Sequence, residues 1–228
     1  MTEGHTDIAR TRQGLYRFLG AALTPPVQDQ FDMLGEAVDV LGDRDVDSFA
    51  FSPYWRRFGC HFPVDVVANG LDVDYVRLFA SGMAGRVSPP SESHYRVQMR
   101  GGDSAEFVAA LQSEYHSMGI GSIDGEEAPD HITTELEVMA RLCDREARAW
   151  AEDQDATIEE DQTPTIEDVL ELESQFLRRH LTVWIPRFRD LVRSDDPSPF
   201  YVDLVEMVHA FVIHDRDYVQ LLRMGMSE

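Results

Sequence analysis

Apolar residues recur at helical spacing along almost the whole chain, and no stretch shows sustained strand-like alternation. TDIARTRQGLYRFLGAAL sets Ile8, Leu15, Phe18, Leu19 and Ala22 on one side of a helix that Pro25-Pro26 ends. VQDQFDMLGEAVDVLG predicts a second helix, and shorter helical pieces follow around 49–58 and 64–79. The pattern breaks over about 80–102, where glycines and prolines predict an irregular loop. DSAEFVAALQSEYHSMGI resumes as a helix, with Asp103 as N-cap and Glu106 completing a capping box.

The strongest stripe begins in EEAPDHITTELEVMARL. Over about 130–150 it places Ile132, Leu136, Met139, Cys143, Ala147 and Trp150 on one face. An acidic linker follows at about 152–164, and Thr165 with Asp168 predicts another capping box. Pro186 is expected to kink or divide the helical stretch 165–193. The last helix turns Phe200, Leu204, Val208, Phe211, Val212 and Val219 inward. The pattern predicts one all-α domain over residues 1–228.

Composition narrows the function classes. The 228 residues carry a net charge of −22. All 20 basic residues are arginine, against 42 acids. Acids spread through every segment with no lysine fit a protein adapted to multimolar salt better than one with a dedicated acidic face. At 1 M salt the Debye length is only about 3 Å, so this charge cannot steer a partner from afar. No basic patch supports nucleic-acid binding. No apolar run reaches the ~18 residues of a membrane span, and the N-terminus lacks a signal-peptide pattern. Cys60 and Cys143 form neither a disulfide framework nor a metal knuckle. A soluble cytoplasmic protein without membrane insertion is expected.

Two places carry candidate chemistry. At the mouth of the strong helix, Asp130 reads as its N-cap, with Pro129 limiting the approach of the chain and Glu126 and Glu127 beside the helix start. His131 and Glu135, four apart, share a flank. Glu127, Asp130, His131 and Glu135 supply the alternative of a metal-dependent hydrolase, but HExxH and a third helical ligand are missing, so no metal is expected. The second place joins YVRLF, with Leu78 and Phe79, to SPPSESHY, in which Pro89-Pro90 precede Glu92, Ser93 and Tyr95. No phosphate loop, GxSxG elbow or Cys/His nucleophile pair is present, so the chain does not read as an enzyme.

YVRLF…PPSESHY, PDHITTELEVMARL, FLRRHLTVWIPRF and FYVDLVEMVHAFV occur in the order seen in the TorD/DmsD/NarJ family. The chain resembles these cytoplasmic chaperones of molybdenum-cofactor oxidoreductases. The resemblance implies a helical bundle of the TorD/DmsD type with no catalysis and no cofactor of its own. It implies a monomer or dimer whose partners are the twin-arginine signal peptide and catalytic subunit of a molybdopterin oxidoreductase. The chaperone would hold back export and assist cofactor insertion. By the same resemblance the peptide surface includes Leu78, Phe79, Pro89, Pro90, Glu92, Ser93, Tyr95, Asp130 and His131. Pro129 and Glu135 are expected to act as a structural hinge.

Overall fold

The stripe beginning at Ile132 faces inward along its whole length. Ile132, Leu136, Met139 and Cys143 are fully buried, and Ala147 and Trp150 nearly so. The computed structural model describes residues 2–42, 51–80, 88–121, 123, 127–152 and 164–226. Within them the chain is helical: α1 (Thr2–Ala22), α2 (Gln28–Gly42), α3 (Ser52–Cys60) and α4 (Leu71–Tyr75), which passes into a π-turn (Val76–Ala80). There follow α5 (Glu92–Arg100), α6 (Ser104–Ser117), α7 (Ile132–Glu152), α8 (Ile166–Arg179), α9 (Leu181–Ser194) and α10 (Pro199–Met226). The fold is all-α, and the one backbone pairing of strand type among the described residues joins Ser91 to His131.

Helix α1 lies along α7 in the most extensive helix pair, while α10 packs against α3, α8 and α9. The inward faces of α1 and α10 match the expected stripes, apart from Ile8, which is half-buried. The same face of α1 also buries Arg12. Its guanidinium pairs with Glu146 of α7, with Glu173 of α8 at 2.5 Å and with Asp215 of α10 at 2.5 Å. One cation thus joins four helices. Three carboxylates outnumber it, and burial pushes Glu173 up to about 8 and Glu146 upward as well, so protons offset part of the excess.

Two sequence expectations change. The stretch 80–102 is not irregular throughout, because residues 92–100 form α5. Pro89 and Pro90 deny helix only to the residues before them. Beyond Ser91 nothing opposes a helix, and Glu92 and Arg96 pair at i,i+4 within it. Gly101 and Gly102, at φ 70° and 113°, then end α5. The stretch 165–193 divides at His180 (φ −117°, ψ −90°) rather than at Pro186. Pro186 sits inside α9, where it forfeits one bond to the Thr182 carbonyl. The capping box of Thr165 and Asp168 forms as expected. Most of the expected acidic linker, residues 153–163, lies outside the described residues, as does Glu126.

Candidate functional site

The two motif regions form one joint. Pro89 and Pro90 keep the chain extended up to Ser91, whose backbone (φ −130°, ψ 126°) opens α5. The Glu92 N–H donates to the Asp130 carbonyl at 2.8 Å, and the Ile132 N–H donates to the Pro90 carbonyl at 2.7 Å. From the other side the Ser88 N–H donates to the Leu78 carbonyl at 2.8 Å, tying the extended piece to the π-turn. Such turns frequently mark functional sites.

Asp130 does not cap its own helix. Its Oδ2 accepts the Ser93 N–H at 3.2 Å and so caps α5 instead. His131 takes the vacated place at α7. Its Nδ1 accepts the Thr133 N–H at 3.3 Å and lies 2.7 Å from Thr133 Oγ1, while its carbonyl accepts the Glu135 N–H. The reason is the backbone pairing, which aims the Asp130 side chain across the joint. Burial holds the His131 ring toward its neutral form, against the opposing pull of Glu127 and Asp130.

Behind the joint lies a buried polar network. Arg96 Nε donates to Glu92 Oε1 at 2.6 Å and His180 Nδ1 to Glu92 Oε2 at 2.8 Å. His180 Nε2 reaches Glu114 Oε2 at 3.3 Å. Burial depresses the basicity of His180, but the bonds to Glu114 and Glu92 outweigh it and raise its pKa. Trp184 Nε1 donates to Glu135 Oε2 at 3.0 Å. Burial, and then the charge of Glu92, push the Glu135 pKa well up.

Of the expected site residues, Leu78, Glu92, Ser93, Tyr95, Asp130 and His131 are buried, while Phe79, Pro89 and Pro90 are partly exposed. Phe79 packs against the rings of Tyr75, Phe188 and Tyr201, and Tyr95 stacks on Trp184. Glu135 is buried and Pro129 half-buried, its carbonyl accepting the Tyr115 hydroxyl at 2.8 Å. The carboxylates of Glu92 and Asp130 are already engaged within the fold. Glu127, Asp130, His131 and Glu135 do not converge. The described donors that do converge, within 4.8 Å, are Cys143, Glu146 and Glu173, whose two glutamates hold Arg12. Arg96, Glu114, His180 and Trp184 lie outside the site motifs of the sequence. The i,i+4 spacing of Glu92 and Arg96 was the available signal; the others arrive from α6 and the α8–α9 junction.

A pocket of about 200 Å³ opens beside the Pro129 turn. Its floor is Tyr115, Ile120 and Thr134, all buried, and its rim carries Gln112, His116 and Glu127, all exposed. The end of α6 shapes it. Gly119, at φ 67°, lets its N–H reach the His116 carbonyl and the Ile120 N–H reach the Tyr115 carbonyl. This turn folds Ile120 back under the helix.

A sequence profile described as nitrate reductase delta subunit matches residues 64–190, more than half of the chain. The chain belongs to the nitrate reductase delta subunit family. The matched span contains both halves of the joint. Among curated relatives, the perchlorate reductase assembly chaperone protein of Dechloromonas aromatica is 26% identical over 61% of this chain and 58% of its own length. The chlorate reductase assembly chaperone protein of Ideonella dechloratans is 28% identical over 66% and 73%. The chaperone protein TorD of Aeromonas salmonicida is 26% identical over 72% and 67%. Thus the match spans less than two thirds of the first of these relatives. No helix of this family member, among its described residues, is long and apolar enough to cross a membrane.

Proposed function

We propose that this chain is an assembly chaperone for a molybdenum-cofactor oxidoreductase, acting in the cytoplasm. It binds the twin-arginine leader of the catalytic subunit and holds back export until the cofactor is inserted. The observation that carries this reading is membership of a family whose curated relatives are named as reductase assembly chaperones. The joint supports it by presenting Phe79, Pro89 and Pro90 at the surface over a rigid network. In this reading Leu78, Glu92, Ser93, Tyr95, Asp130 and His131 hold that surface in place. An apolar leader segment contributes most of the affinity, at about 25 cal/mol per Å² buried. The role is binding, not catalysis.

Calorimetry with leader peptides of molybdenum reductases encoded in the same genome, in molar salt, tests the reading. Saturable one-to-one binding of at least one leader is expected. A chain that binds none of them is not a leader chaperone.

A further inference from the structure

The pocket beside Pro129 is built differently from the joint. Its wall carries Ile120 and Ile123, yet the Glu127 side chain at its rim is 51% exposed, with His131 Nε2 as an ionic neighbour at 3.7 Å. That neighbour is a poor counter-ion, since burial holds the ring toward neutrality. The Gln112 carboxamide offers a further acceptor on the same rim. The Tyr115 hydroxyl donates to the Pro129 carbonyl, so its proton is not available to an anion in the pocket.

We propose that this pocket receives an arginine side chain of the bound leader, with the aliphatic stem over Ile120 and Ile123 and the guanidinium on Glu127. This rests on the leader-binding reading and assigns it a charge-recognising subsite separate from Glu92 and Asp130. Arginine fits better than lysine because a planar fork can bond a carboxylate in two places while its stem covers apolar surface. Direct paired bonds of this kind survive molar salt, where long-range attraction does not.

Two substitutions test the pocket without touching the core. Glu127→Gln removes the charge. Gly121→Trp places a bulky ring at the wall; Gly121 is exposed, and no heavy atom lies within 4 Å of a Cβ built there. The probe is a synthetic leader peptide that binds the wild-type chain, together with the same peptide bearing glutamine for its paired arginines. Each substitution should weaken the arginine peptide about tenfold or more, with melting midpoints unchanged. The glutamine peptide should bind the wild-type chain as weakly, and Glu127→Gln should then make no further difference. Full-strength binding of the arginine peptide to both variants overturns the pocket while leaving the chaperone reading intact. If no leader binds the wild-type chain, both readings fall together.

Discussion

Asp130 caps a helix other than its own: its carboxylate accepts the Ser93 amide, 37 residues away along the chain. Asp130→Asn keeps an acceptor at the same place and should leave the melting midpoint nearly unchanged. Asp130→Ala removes it from a buried position and should cost about 1–2 kcal/mol. Urea denaturation of the three proteins distinguishes this from a role in charge alone, which would make Asn as harmful as Ala.

Arg12 is the single cation of a buried set of three carboxylates. Arg12→Met should destabilise by about 3–5 kcal/mol, because it leaves buried charge without a partner. Combining it with Glu146→Gln, Glu173→Gln and Asp215→Asn should restore much of the loss, since a matched neutral set carries no such penalty. Denaturant midpoints for the single and combined variants measure both effects. A combined variant no better than Arg12→Met would refute the electrostatic account.

Glu173 makes a pH prediction. Its carboxyl titrates at about 8 in the folded chain against an ordinary 4.5, so the folded state holds the extra proton across that window. Its contribution is therefore full below about 4.5 and is lost as pH rises through about 8. Glu173→Gln should flatten the fall of the melting midpoint between these values. An unchanged slope would place the titration elsewhere.

With 42 acids against 20 arginines, self-repulsion should weaken the fold in dilute buffer. We propose that the chain is adapted to molar salt, so its midpoint should rise strongly between dilute buffer and molar salt. A flat response would return attention to the acids as a binding face.

Helix positions were legible because Leu136, Met139 and Cys143 repeat at a spacing that only a helix satisfies. The motif residues were legible too, but not which way their side chains point. Asp130 shows why. A carboxylate before a helix is read as that helix's cap, and only the pairing of Ser91 with His131 turns it toward α5. His180 was hidden for a related reason. Its partners Glu92 and Glu114 lie 88 and 66 residues away, beyond any local spacing rule. Arg12 sits on an otherwise apolar stripe, where pattern reading alone does not anticipate a charge.

The extended piece at 88–91 has one further consequence. Pro89 and Pro90 have no N–H to give, and that of Ser88 is held by Leu78. The outer edge of this short pairing therefore offers at most one donor, the Ser91 N–H, to another strand, whether a copy of this chain or an unfolded client. If the chain acts as the proposed chaperone, this edge protects it from templating the aggregation of apolar, unfolded clients, and its guests must be read through side chains, not by adding to a sheet.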